Sequence, residues 1–378
     1  MSVVLPKETF SGESDILIPT ISPLLANEPA GLPNALGPEG LPAATLTSSR
    51  RPRRSNVSRQ LDELFEVAER NLSCLVTCDL RTKRSLDRRV VTGTVIAPRK
   101  ALYSRTSYWE QLERQDQELH ILRALHAKHP AWVFSHASAA LLHGLYVSWA
   151  RLDPTHIMQT RDQRGSRSGV VIRHTIKQAD VTLARGLPTT SVVQTAIDCL
   201  CTLPFGEALA IADSTLRLHG LDRGDLLNLV LTQARRRRGC KNALRAALWA
   251  NPLSENGGES LARSVMILNG FELPRLQVEI PNPLDPRNPY RVDFYWELDD
   301  GTIVIGELDG MEKRRNKRMT KGKDIERLMA EERLRESRII ALTGCLFMRF
   351  SFKDAVQGDP LIRMMDAHGI PRTGALIA

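Results

Sequence analysis

Residues 290–310 read YRVDFYWELDDGTIVIGELDG. Two apolar runs, Tyr290–Trp296 and Thr302–Gly310, flank Asp299-Asp300-Gly301. That is the pattern of a β-hairpin closed by a tight turn. A turn centred on Asp300 sets Asp293 directly opposite Glu307, and side chains so paired have Cβ atoms roughly 5 Å apart. Asp309 lies two residues past Glu307 and shares its face. Two uncompensated carboxylates that close repel, so one must take up a proton or a cation. An all-oxygen site suits Mg²⁺ (or Mn²⁺). With a metal on two acids, the chemistry that follows is phosphodiester hydrolysis.

The neighbouring segments extend the pattern. Gly257-Gly258-Glu259-Ser260 opens an amphipathic helix running to Asn269, and Glu259 can complete the ligand set. Phe271–Ile280 reads as a strand. Lys313, just beyond the hairpin, is placed to orient or deprotonate a water. It begins a basic stretch that includes Arg314, Arg315 and Lys317, suited to a phosphate backbone. A helix over 324–337 and a strand over 345–350 follow. The order helix, strand, strand, strand, helix, strand predicts an α/β domain with a mixed sheet over 251–378. Each acid also has a structural reading. Asp293 can pair with Arg291, Glu307 can lie on an exposed strand face, and Glu259 can complement its helix dipole or pair with Arg263.

The chain has 378 residues and six scattered cysteines. That length predicts two or three domains, and the cysteines fit reduced thiols in the cytoplasm. No apolar run spans a bilayer and no secretory signal leads the chain, so no membrane partner is expected. The net charge is +9. Lys7 against Glu8, Glu13, Asp15, Glu28 and Glu39 leaves residues 1–49 at −4 and the remainder at +13. So basic a body favours a polyanion such as DNA.

Residues 1–55 read as a Pro/Gly/Ser-rich tail. Residues 56–110 read as three short helices and a basic hairpin, a winged helix-turn-helix. The helices are one capped by Ser58, one near 75–80 and one over 81–91; the hairpin strands flank Pro98-Arg99-Lys100. Arg84, Arg88, Arg89, Arg99 and Lys100 are its candidate DNA contacts. Residues 111–250 read as mixed but mainly helical, with strands over 156–158 and 170–174. His120, His126, His136 and His143 lack carboxylates at ligand spacing and read as structural. The fold class is thus α+β and multidomain.

The pieces Gly258-Glu259-Ser260, Arg291-Val292-Asp293-Phe294, Gly306-Glu307-Leu308-Asp309-Gly310, Glu332-Arg333-Leu334-Arg335-Glu336 and Met348-Arg349-Phe350 resemble the Vsr-like branch of the PD-(D/E)XK endonuclease superfamily. More closely still, they resemble an uncharacterised nuclease-like domain common in actinobacteria. The resemblance covers about 100 residues. It implies a restriction-endonuclease-like fold with Asp293, Glu307 and Glu259 as metal-binding acids. Asp309 stands where the E-x-K pattern has lysine, and Lys313 is the replacement the resemblance offers. Residues 81–105, 135–144 and 186–198 are similar to the AbiEi family of type IV toxin–antitoxin antitoxins. That likeness implies a DNA-binding winged helix and adds a cognate toxin as a further partner class. Two functions follow. One is a DNA-binding protein with a metal-dependent endonuclease domain, in phage defence or DNA processing. The other is a non-enzymatic antitoxin or transcriptional repressor whose nuclease-like domain only binds DNA.

Overall fold

The computed structural model describes residues 56–77, 79–160, 171–177, 179–309 and 325–374. The described residues belong to one compact unit. Among the described residues it holds thirteen α-helices and twelve strands in three sheets, a mixed α and β architecture. No helix among them is long and apolar enough to cross a membrane. The expected tail lies outside the described residues.

The N-terminal part runs α1 (Asn56–Arg70), β1 (Leu75–Val76), α2 (Leu80–Val91), β2 (Val95–Arg99), β3 (Leu102–Arg105) and α3 (Thr106–Trp109). Leu61 and Phe65, four apart on α1, meet Leu86 of α2 and Leu75, Val95 and Tyr103 of the sheet in one small core. Asp79 caps α2 by accepting the Thr82 N–H at 2.7 Å. Gly93, at φ +74°, ends that helix region and turns the chain into β2. The expected hairpin forms. The expected helix near 75–80 does not, because Leu75 and Val76 pair with Tyr103 and Leu102 as a third antiparallel strand. Ser58, expected to cap α1, instead accepts a hydrogen bond from the Arg89 guanidinium at 3.0 Å.

The middle part contains α4 (Arg114–Lys128), β4 (Val133–Phe134), α5 (His136–Leu142), β5 (Thr155–Gln159), β6 (Val171–Thr175), β7 (Val181–Ala184), β8 (Leu187–Thr190), α6 (Val192–Thr202), α7 (Phe205–His219), α8 (Arg223–Gln233) and α9 (Cys240–Trp249). It is less helical than its sequence suggests. A five-stranded sheet of order β6-β5-β4-β8-β7 runs through it. Its strands have two to five residues. Of these, β5 and β6 fall where strands were expected over 156–158 and 170–174, whereas β4, β7 and β8, of two to four residues, show too few alternations to register as a period of two. Helix α5 buries every residue, and α6 and α7 bury most of theirs.

The last part comprises α10 (Gly257–Leu268), β9 (Arg275–Ile280), β10 (Tyr290–Glu297), β11 (Ile303–Asp309), α11 (Ile325–Thr343), β12 (Leu346–Ser351), α12 (Phe352–Gln357) and α13 (Asp359–Ala367). The helix and strand order through β12 is the expected one. The sheet is mixed, in the order β12-β11-β10-β9, with only β11 and β12 parallel. One core joins the sheet to α10, α12 and α13 through Ala262, Met266, Ala355, Leu361 and Met365. A second joins it to α11 through Ile339.

The expected boundary near residue 250 crosses a tightly packed joint. Helix α10 lies against α7, and Gly206 approaches so closely that a Cβ there would sit 2.7 Å from the Ser264 hydroxyl. Asp213 of α7 is fully buried. Its carboxylate accepts from the Asn251 N–H, the Ser260 hydroxyl and the Arg263 guanidinium, each at 2.7 Å. Arg263 also donates to the Trp249 carbonyl at 2.7 Å. The helix that carries Glu259 is therefore fixed from the middle part as much as from its own sheet.

Candidate functional site

The site grows from an irregularity in the β9–β10 pair. Val292 pairs with Val278, and Phe294 pairs with Leu276. Residues two apart on a strand should share a face. Here Val292 and Val278 pack in the core with Ile305 and Ile339, whereas Phe294 and Leu276 pack with Ala262 and Met266. The pair changes faces at Asp293 and Gln277, between those two rungs. Gln277 has φ +53°, a left-handed conformation unusual for a non-glycine strand residue. Such backbone costs on the order of 1–3 kcal/mol and gathers at functional sites.

The β10–β11 hairpin has the register expected from Asp300. Glu297 pairs with Ile303 and Phe294 with Gly306. Gly301 supplies φ +82° for the turn, and the Asp300 carboxylate accepts the Thr302 N–H at 2.9 Å. Extending that register sets Asp293 against Glu307, but the ladder ends one step earlier. The Asp293 side chain takes over there, its Oδ2 accepting the Leu308 N–H at 3.0 Å.

Three carboxylates surround this break. Glu259, in the first turn of α10, is 2% exposed. Its Oε2 accepts from the Glu255 N–H at 2.8 Å and the Gln277 amide at 3.2 Å, and its Oε1 accepts from the Asn256 amide at 2.5 Å. Burial pushes its carboxyl up to about 7, with the charge of Asp293 adding to the rise. Asp293 is half-buried, and burial raises its carboxyl against the hydrogen bonds from Leu308 and Gln277. Glu307 is 7% exposed. Burial raises its carboxyl too, opposed by Arg335 and added to by Asp293.

Two arginines complete the site, neither foreseen as part of it. Arg335 of α11 donates to Glu307 Oε1 at 2.7 Å and to the Arg291 carbonyl at 2.6 Å. Arg349 of β12 lies beside Glu307 in the parallel register. It reaches Glu307 Oε2 at 3.5 Å, Glu332 at 3.2 Å and Glu336 at 3.0 Å. The i, i+3, i+4 spacing of Glu332, Arg335 and Glu336 could have shown that one helical face carries all three. Nothing local tied that face to Glu307.

Of the structural readings of the acids, the helix-dipole one holds, since Glu259 stands in the first turn of α10. Glu307 is not on an exposed face. Arg291 pairs with Glu255 at 2.6 Å, and Arg263 with Asp213. Asp309 is half-buried at the end of β11, opposite Ser351. Lys313, Arg314, Arg315 and Lys317 lie outside the described residues. As the side chains stand, no three His, Cys, Asp or Glu groups among the described residues converge tightly enough to hold a metal ion.

The N-terminal basic residues separate into two sets. Arg84 and Arg88 are exposed one turn apart on α2, and Lys100 is exposed at the hairpin tip. Arg89 is half-buried between α2 and α1, 3.7 Å from Asp62. Arg99 departs from its expected role. Its side chain is only 8% exposed and is turned inward to Glu118, Asp153 and the Leu152 carbonyl. The four histidines singled out include two with clear structural bonds. His120 contacts the Tyr108 hydroxyl at 2.8 Å, and His143 donates to the Thr190 carbonyl at 2.8 Å. His136 stacks on His174 with ring centres 3.4 Å apart. His126 is at the end of α4.

No family model matches the chain. Two uncharacterized proteins of Mycobacterium tuberculosis, from strains CDC 1551 and H37Rv, are each similar to it, with 36% identity over 111 residues. That stretch is 29% of this chain and 40% of each relative, so the match spans less than half the length of either.

Proposed function

We propose that the cluster of Glu259, Asp293 and Glu307 is a phosphodiester-hydrolysing centre in a DNA-binding protein. The carrying observation is the cluster itself: two buried carboxylates and one half-buried, all raised by burial, gathered where a strand pair changes faces. A fold gains no stability from burying like charges, so their retention points to chemistry. The donor set is all oxygen and suits Mg²⁺ or Mn²⁺. For a cation to reach Glu307, Arg335 must give up its bond to Oε1. A divalent ion, when bound, supplies a Lewis acid for the attacking water and the phosphate oxygens. The chain's own groups do the rest. Glu259, titrating near neutrality, can exchange a proton with water. Arg335 and Arg349 present guanidinium groups at the height of Glu307, where a phosphate can dock bidentately. Gln277 holds Glu259 in place.

This reading agrees with a Vsr-like, restriction-endonuclease-like domain, and α1 to β3 with a variant winged helix that lays Arg84, Arg88 and Lys100 on DNA. A second reading is favoured by one observation, the Arg335–Glu307 ion pair. A site already neutralised by arginine suits a repressor or antitoxin-like protein that grips DNA without cutting it, with a toxin as its second partner. Nicking of supercoiled plasmid in Mg²⁺ and in Mn²⁺ separates the two. The hydrolytic reading expects cleavage by wild type and none by Asp293→Ala. No cleavage in either metal, or equal cleavage by both proteins, favours the second.

A further inference from the structure

A cavity of about 350 Å³ lies between the middle part and the N-terminus of α10. We propose that it binds one nucleotide unit, stacking the base on aromatic side chains and pairing the phosphate with Arg217. This goes beyond the hydrolytic reading and does not rest on it.

The volume falls within the range of small-molecule sites, roughly 300–1,000 Å³. Tyr146, Trp149 and Phe352 line it. Trp149 and Phe352 are 37% and 42% exposed, and the Arg114 guanidinium lies over the Trp149 ring, 5.5 Å from its centre. A planar base covers such rings, with stacking worth roughly 1–3 kcal/mol. Tyr146 is wedged against the helix start. A Cβ at Gly257 would fall 2.0 Å from its ring, so only glycine lets the ring lie there.

Arg217 supplies the charge. It lines the cavity, and its Nη1 is buried with no hydrogen-bond partner among the described residues. A buried charged donor left unsatisfied costs more than a neutral one. That atom is closed to solvent, so an oxyanion in the cavity would take its charge-assisted bond from the other guanidinium nitrogens of Arg217. No carboxylate is among the described lining residues, and the Glu259 carboxylate lies behind Asn256. The positive end of α10 also faces the cavity at Gly257. Gln115 and Ser148 on the lining offer donors and acceptors to a base edge. Aromatic walls, one cation and amide and hydroxyl groups are together what a nucleotide requires.

The cavity also touches the acidic site. Asn256 lines it and donates to Glu259 Oε1 at 2.5 Å. A nucleotide seated there lies one side chain from the carboxylate cluster.

The same chemistry is presented by a free nucleoside monophosphate and by one unit of a single strand. The test titrates the full chain, in EDTA so that no cleavage intervenes, with the four nucleoside 5′-monophosphates and with a ten-residue oligothymidylate. Isothermal calorimetry reads the affinity. The proposal expects saturable binding of either probe below about 1 mM. Arg217→Met should weaken it about 10-fold or more and Phe352→Ala about 5-fold or more, and Arg217→Lys should retain part of it. Binding of a monophosphate alone identifies a free nucleotide as the ligand; binding of the oligomer identifies a strand. Melting curves of the variants matching wild type show that the fold is kept. No binding of either probe, or binding unchanged in a folded Arg217→Met protein, overturns it. Strand binding at the basic face of α2 gives that last result. Because cleavage is not read, loss of the hydrolytic reading leaves the outcome intact.

Discussion

Replacing Arg335 with methionine removes the cation from Glu307 and keeps most of the side chain's bulk. Removing one partner of a buried ion pair costs about 3–5 kcal/mol when the other charge is left uncompensated. Here the Arg335 side chain is 29% exposed and that of Glu307 10%, and Arg349 remains 3.5 Å from the other carboxylate oxygen. The expected cost at pH 8 is therefore smaller, about 2 kcal/mol. For a chain this long it lowers Tm by roughly 3–6 °C. The sign with pH follows from which form Arg335 stabilises. It favours the charged carboxylate, so its contribution is complete where Glu307 is ionised and fades as acid protonates it. The difference between variant and wild type should shrink toward pH 4. Mn²⁺ adds a second expectation. If the acids accept a cation, the variant no longer makes it compete with Arg335. At 100 times the dissociation constant the ion contributes about 2.7 kcal/mol, and the variant should gain more from Mn²⁺ than wild type does. Thermal and urea melts at pH 4 and pH 8, with and without Mn²⁺, read all three. Equal stability of variant and wild type at pH 8 refutes the reasoning about the pair. A penalty unchanged between the two pH values refutes its electrostatic origin. Equal Mn²⁺ shifts refute the competition.

Three further outcomes are expected. Glu259 has a folded carboxyl raised from the ordinary 4.5 to about 7, so the folded state holds the extra proton between those values. Stability from this group is present at low pH and falls as pH rises through that window; Glu259→Gln should remove about 3 kcal/mol of that slope, read as the wild-type-minus-variant difference in urea melts from pH 4.5 to 8. Taking the difference matters because Glu118 is also raised to about 7, while His156 and His174, lowered to about 4, contribute slopes of opposite sign. Asp213→Ala strands Arg263 in the α7–α10 joint and should cost about 3–5 kcal/mol in denaturant melts, with Asp213→Leu combined with Arg263→Met costing less. Arg84→Glu with Arg88→Glu should weaken duplex binding and reduce the slope of log affinity on log salt by about 2, whereas Arg99→Ala should leave that slope and lower the melting temperature.

What could be read before any fold was known follows from how local each feature is. The β10–β11 hairpin was fully legible, because Asp299-Asp300-Gly301 fixes the turn and the apolar runs fix the phase. The same register predicted Asp293 paired with Glu307, but the ladder stops at Phe294 and Gly306, and the Asp293 carboxylate accepts the Leu308 N–H instead. The face change at Gln277 was not legible, because a positive φ at glutamine has no composition signal. Arg335 and Arg349 were missed because their bonds to Glu307 span 28 and 42 residues. Arg99 looked like a wing-tip contact, since charge and hairpin position were visible and its partners Glu118 and Asp153 were not. Of the middle sheet, β5 and β6 fall where strands were expected over 156–158 and 170–174, while β4, β7 and β8 escaped for want of length, and Leu75-Val76 was misread because two residues carry no period. The joint between α7 and α10 was hidden for the opposite reason: Asp213 and Arg263 each sit in a well-formed helix, and helix periodicity does not say which helices meet.

The central claim is that the acids around Asp293 form a divalent-cation site. Crystals of the full chain soaked in Mn²⁺ test it most directly, by anomalous scattering at the manganese edge. The account predicts a peak bound by the carboxylates of Asp293 and Glu307, with the Arg335 guanidinium displaced from Glu307. No peak at saturating Mn²⁺, with Arg335 still bonded to Glu307 as it is here at 2.7 Å, would contradict it.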